Sequence, residues 1–276
     1  MNADASIISN QEHPGAAAGS HADSCHEPII RVNDLRITTA MGNRPLIDGI
    51  SFDVQPGETV GLVGESGSGK SLTLRAIMGL LPEGVVLADS ESISISEHKR
   101  LAMIFQDPVS SLDPLTGVAR QVAEVMRYNQ HLPRREAQAQ AADLLISLGL
   151  PASLRAADRY PGQLSGGQCQ RVGIAIALAT KPDILLCDEP TTALDVTVQL
   201  QILDLLADLR ERLGLTMLFV THNLGVAAHL CDRLIVMQHG RIVEAGATED
   251  VLNNPQQEYT RRLVSAILPI PGEQDR

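Results

Sequence analysis

The sequence predicts an α/β domain built on a largely parallel sheet. Three observations lead there. Short, mainly apolar runs such as Thr59–Val63 and Ile184–Cys187 have the composition of strands buried on both faces. Longer segments with helical spacing lie between them, from about Lys70 to Leu80 and over most of Leu115–Leu150. A glycine-rich turn joins the first of these strands directly to the first of these helices.

Taken in order, residues 1–28 hold four acids and no Lys or Arg among many Gly, Ala, Ser and Pro, and are expected to form a disordered tail. They lack the basic start and apolar core of a secretory leader. His13, His21, Cys25 and His26 are too irregularly spaced to make a specific metal site. Ile29–Val32, Leu35–Thr39 and Ile50–Val54 alternate enough to read as strands. After Thr59–Val63 and its helix comes a strand at Ala102–Phe105, the mostly helical stretch, and an apolar helix over Cys169–Thr180. Ile184–Cys187, Met217–Val220 and Leu234–Met237 are further buried strands, with helices between the first two. Gln238-His239-Gly240-Arg241 turns the last of them into Ile242–Ala245 as a hairpin. The folded body is expected over 29–268, with 269–276 a short C-terminal tail. No internal repeat signals a second copy of the domain.

Composition narrows the function. A chain of 276 residues can bury a sizeable core. A formal charge of −11 argues against wrapping nucleic acid or lying on anionic lipid. Aromatics are only 2%, with no Trp, which argues against modules that stack bases on aromatic platforms. The longest uninterrupted apolar stretch, about Ile174–Ala179, falls far short of the ~20 residues of a spanning helix. Four scattered cysteines with no CxxC pair suit a reducing compartment rather than a disulfide framework.

Three segments carry chemistry. Gly64-Glu65-Ser66-Gly67-Ser68-Gly69-Lys70-Ser71 matches GxxxxGK[ST] between a buried strand and a helix. Its glycines let the backbone aim N–H groups at phosphate oxygens, and the helix N-terminus adds positive potential. Lys70 can reach β- and γ-phosphates, and Ser71 offers Mg²⁺ a hydroxyl. Ile184–Cys187 delivers Asp188 and Glu189 to the carboxyl edge of the sheet. There Asp188 would hold magnesium through its water shell and Glu189 would act as general base on the attacking water. Cys187 is expected to face the core. Leu164-Ser165-Gly166-Gly167-Gln168 opens a second helix with a cap and exposed N–H groups, about 95 residues beyond Lys70. One nucleotide needs two such loops only if two copies of the domain sandwich it.

This combination, with Gln106 and His222, resembles the nucleotide-binding domain of ATP-binding cassette (ABC) transporters, from about Ile29 to Leu268. The resemblance implies a P-loop NTPase with a mixed, largely parallel core sheet, a small antiparallel β-subdomain and a helical signature subdomain at about 107–180. It implies ATP and Mg²⁺ as cofactors. ATP would lie on 64–71 with Leu72 and Gln106, and magnesium on Ser71, Gln106 and Asp188. Lys70, Glu189 and His222 would be catalytic, with His222 contacting the γ-phosphate. Leu164, Ser165, Gly166, Gly167 and Gln168 would grip the ATP of the opposite subunit, beside a D-loop of Ala193, Leu194 and Asp195. Phe105–Pro114, Asp188–Leu206 and Pro255–Leu263 are similar to the peptide and nickel importers of the family. Implied partners are a second ATPase subunit, identical or homologous, two transmembrane permease subunits and, indirectly, a solute-binding protein, at the cytoplasmic face of the cell membrane. No nucleic acid is implied.

Four departures from the family pattern are visible. The adenine-stacking aromatic falls near Thr39, which is not aromatic, so nucleotide affinity is expected to be lower. Only 36 positions separate Lys70 from Gln106, so a trimmed antiparallel subdomain is expected. Cys169 stands where Arg is common, and the cysteine-bearing tail of many peptide importers is not found after Leu268. Competing classes are a soluble ABC ATPase acting on DNA or ribosomes, which usually carries two cassettes or coiled-coil insertions, and a P-loop small-molecule kinase, which would lack LSGGQ and the switch histidine.

Overall fold

The computed structural model describes residues 27–40, 45–192 and 194–266. The expectations for the tail as far as His26, for Ala193 and for the C-terminal tail 269–276 lie outside the described residues.

The chain opens with two long antiparallel strands, β1 (Ile30–Thr39) and β2 (Pro45–Val54). The sequence reads β1 as two strands. It is one, with a register shift beside Asp34, whose φ of 44° breaks the alternation. Then come β3 (Thr59–Val63) and α1 (Lys70–Met78), two residues shorter at its end than expected because Gly79 terminates it. β4 (Val85–Leu87) and β5 (Ile93–Ile95) are three residues each, too short to show alternation, and both pair with β1. These strands complete a small antiparallel sheet beside β1 and β2.

β6 (Leu101–Ile104) leads to two helices, α2 (Val118–Gln130) and α3 (Arg134–Ser147), split where His131 turns left-handed ahead of Pro133. The apolar helix α4 (Gly166–Leu178) starts three residues earlier than expected, at its Ser165 cap. β7 (Ile184–Asp188), α5 (Val196–Leu213), β8 (Thr216–Thr221), α6 (Leu224–Leu230), β9 (Arg233–Gln238) and β10 (Arg241–Ala247) follow. The hairpin of β9 and β10 is present. Two short helices close the described chain, α7 (Thr248–Asn253) and α8 (Glu258–Ser265). Neither they nor α6 were legible, since six to eight residues give too few turns to show a period.

The larger sheet has the order β10-β9-β3-β8-β7-β6. All of it is parallel except the edge pair β9–β10. Every residue of β3, β7 and β8 is buried, which is why these strands read as unbroken apolar runs. Successive side chains serve different cores. Ile184 and Leu186 of β7 join α1 and the small sheet on one face, while Leu185 and Cys187 join the helices α2–α6 on the other. Cys187 is therefore a core residue, as expected. The crossovers leave the carboxyl ends of β3, β6, β7 and β8 along one edge.

Candidate nucleotide site

A cleft of about 730 Å³ lies at that edge. Its floor is the loop between β3 and α1. Gly64 has φ 145°, and a Cβ there would fall 2.2 Å from the Met237 carbonyl oxygen. Gly69 has φ 106°, and its Cβ would fall 2.3 Å from Ile47 Cδ1. Only glycine fits either place, because the left-handed backbone and the lack of room act together. Gly69 caps α1 without a side chain, so the first-turn N–H groups of that helix have no cap to satisfy them. An anion is the natural partner for such an end.

The Lys70 ammonium donates to the carbonyls of Gly64 at 2.7 Å and Glu65 at 2.9 Å. Burial draws its pKa below that of an ordinary lysine, while Glu189 and Asp188 oppose the shift. Ser71 Oγ donates to Asp188 Oδ1 at 2.5 Å. Asp188 ends β7 fully enclosed, and burial pushes its carboxyl up against the opposing Ser71 bond. A buried carboxylate beside a hydroxyl is a fitting place for a hard cation. Among the described residues no group of three or more His, Cys, Asp or Glu forms a metal cage. The oxygen donors of Ser71, Asp188 and Gln106 are of the kind a hard cation such as magnesium takes.

Glu189 is the point where the elements converge. Its Oε2 receives the Thr192 hydroxyl at 2.9 Å and lies 3.1 Å from His222 Nδ1. Gln106 Nε2, from the end of β6, reaches the same oxygen at 3.4 Å. The Glu189 backbone is left-handed, φ 47°, and its N–H donates to the Val220 carbonyl at 3.0 Å. The ends of neighbouring strands β6 and β8 contribute one group each to this cluster, and the segment after β7 contributes two, Glu189 and Thr192.

Most of the expected site residues meet here. Glu65, Ser66, Gly67, Gly69, Lys70, Ser71, Leu72, Gln106, Glu189 and His222 line the cleft. Gly64, Ser68 and Asp188 stand behind its wall. Leu164–Gln168 does not join them. Ser165 caps α4, its Oγ accepting from Gln168 N at 3.3 Å while Gln168 Oε1 accepts from Ser165 N at 3.1 Å. This segment packs instead beside Leu194 and Val198, and Asp195 caps α5 through Val198 N at 3.0 Å. Thr39 is also absent from the cleft lining. It pairs with Val85, and the apolar wall is made by Leu46 and Leu263. The adenine-facing position expected near Thr39 adjoins residues 41–44, which lie outside the described residues. Leu46, Thr192 and Leu263 were missed. Thr192 carried a signal, lying three residues past Glu189, and Leu263 closes the Pro255–Leu263 segment already singled out.

A glycine-rich loop entering a helix, a lysine on it and a buried acidic strand end define a P-loop nucleoside triphosphatase. Comparison with known proteins narrows the class. Residues 47–192 match the family described as ABC transporter. The oligopeptide transport ATP-binding protein AppD of Bacillus subtilis is 39% identical over 90% of this chain and 81% of its own length. The peptidoglycan transport ATP-binding protein YejF of Agrobacterium fabrum is 44% identical over 87% of this chain, which spans 47% of that relative. A dimeric structure of the ATP-binding cassette MJ0796 bound to ADP and Pi superposes with a TM-score of 0.66, at 30% identity, covering 79% of this chain and 98% of that one. The chain belongs to the ABC transporter family, as one of its ATP-hydrolysing members.

Proposed function

We propose that this chain powers a peptide importer by binding and hydrolysing ATP between two ATPase subunits. The observation that carries the reading is the convergence of Gln106, Thr192 and His222 on one oxygen of Glu189, opposite Lys70 and the Ser71–Asp188 pair. The N–H groups of the glycine loop would cradle the β- and γ-phosphates, and Lys70 would leave the Gly64 and Glu65 carbonyls to meet them. Ser71, Asp188 and Gln106 would hold magnesium, which when bound would supply charge neutralisation on the phosphate oxygens. Glu189, oriented by Thr192 and His222, would take the proton of the attacking water.

The Leu164–Gln168 helix start lies outside its own cleft, which supports a second subunit, identical or homologous, that accepts it. No helix of the described residues is long and apolar enough to cross a membrane. Two permease subunits would therefore form the path, with a solute-binding protein delivering cargo and this chain peripheral at the cytoplasmic face. Peptides rather than nickel are the favoured cargo, because the similar AppD is an oligopeptide transport protein.

The test is MgATP hydrolysis and peptide uptake by the assembled transporter. Lys70→Ala should lower hydrolysis by about 10²–10³-fold, the scale for removing one preorganised charge or donor from a transition state. Retained turnover in that variant would remove Lys70 from the mechanism. Hydrolysis stimulated by nickel and not by peptide would reassign the cargo.

A further inference from the structure

We propose that Tyr259, on the closing helix α8, is a positioning residue that sets Lys70 for nucleotide phosphates. The inference rests on the reading of the cleft as an MgATP site. Tyr259 is buried, and its hydroxyl accepts a hydrogen bond from the Glu65 N–H at 3.0 Å. That N–H belongs to the peptide unit whose other end is the Gly64 carbonyl. The same carbonyl accepts the Lys70 ammonium at 2.7 Å. One peptide plane is therefore gripped at both ends, by Lys70 on its oxygen and by Tyr259 on its nitrogen.

The grip matters because of where this peptide lies. Gly64, with φ 145°, has no Cβ to restrict rotation of the plane. Without the hydroxyl, the Gly64–Glu65 plane loses its hold on the nitrogen side, and the resting place of the Lys70 ammonium is less sharply set. Burial raises the Tyr259 pKa, so the group stays a neutral hydroxyl near pH 7.

α8 is well fixed for this task. The Glu244 carboxylate of β10 accepts from Gln256 N at 2.7 Å and Gln257 N at 3.1 Å, anchoring the start of the helix. Arg261 reaches back to the carbonyls of Pro255 and Gln256. Leu263, one turn beyond Tyr259 on the same face, lines the cleft. The closing helix thus touches the nucleotide site twice, once at the loop backbone and once at its apolar wall.

Tyr259→Phe removes the hydroxyl and keeps the ring in the core. The full-length variant is titrated with MgADP by calorimetry, beside wild type and a Tyr128→Phe control at an exposed tyrosine. The MgADP Kd should rise about three- to tenfold with unchanged stoichiometry, the range of one lost hydrogen bond. In the assembled transporter, KM for ATP should rise while kcat holds, the pattern of lost binding that ground and transition states share equally. A Kd equal to wild type overturns the proposal. So does a weakening matched by a falling fraction of binding-competent protein, which would mean that Tyr259 only holds the core together. A wild-type chain that binds no MgADP would overturn the ATP reading itself, and this inference with it.

Discussion

Two helices of this chain begin at glycine-rich segments, and they are finished differently. At α1 the cap is a left-handed glycine that gives no side chain to the helix, and a lysine and a serine stand on the first turn. At α4 the cap is Ser165, which closes a reciprocal box with Gln168 and so has a side-chain cap that α1 lacks. The first end is built around an anion that the chain itself must find. The second is stable alone and has nothing of its own chain's cleft in front of it. One chain thus presents a nearly complete site and a separate, self-contained grip. This is how a subunit looks when its second half-site belongs to a partner's nucleotide.

The sharpest break of this contrast is at Glu189. Glu189→Gln keeps the hydrogen bonds to Thr192 and His222 and loses the base. Turnover should fall by about 10²–10⁴-fold, while MgATP still binds and holds two subunits together on size exclusion. An unaltered hydrolysis rate would place the base elsewhere.

The paired glycines come next. Gly64→Ala should unfold the loop or the domain, because its Cβ meets the Met237 carbonyl at 2.2 Å in a left-handed backbone. Gly166→Ala should leave stability intact or slightly raised, since its Cβ meets only Leu194 Cδ2 at an ordinary 3.7 Å. It should nonetheless lower hydrolysis in the assembled enzyme. Melting curves and ATPase rates read both, and an active Gly166→Ala transporter would argue against a γ-phosphate contact there. Ser165→Ala should cost about 1 kcal/mol through the lost cap, visible as a lower urea midpoint.

The smallest effect concerns the seam between the two sheets. Asp48 of β2 receives Arg241 of β10 and Arg36 of β1. The bond from Arg241, with the charge of both arginines, holds its carboxyl below the usual aspartate range. Because the folded pKa is the depressed one, this stabilisation is present above the unfolded pKa and fades as pH falls through the folded value. Asp48→Asn should therefore flatten the acid limb of the stability curve and leave its basic limb unchanged. An acid limb as steep as wild type would discard the pairing.

What could be read in advance followed the range of the interactions. The loop at Gly64–Ser71 and the strand ending in Asp188 are local, and their patterns name them. The meeting of Gln106, Thr192 and His222 at Glu189 depends on β6, β7 and β8 being neighbours, which no short pattern encodes; the acidic strand end supplied Glu189, resemblance supplied Gln106 and His222, and Thr192 escaped both. Tyr259 and Leu263 were hidden in an eight-residue helix that reaches the site from the far end of the chain.

The left-handed backbone at Glu189 bears on how this protein can drift over generations. A side-chained residue in that conformation is disfavoured by roughly 1–2 kcal/mol, and glycine or asparagine would relieve it. Folding alone would thus reward loss of the glutamate, and the general-base role proposed for it would be what keeps it. In a pair of related subunits sharing two nucleotides, the copy released from hydrolysis should lose this residue early and gain stability in doing so. Position 189 then marks which member of the pair does the work.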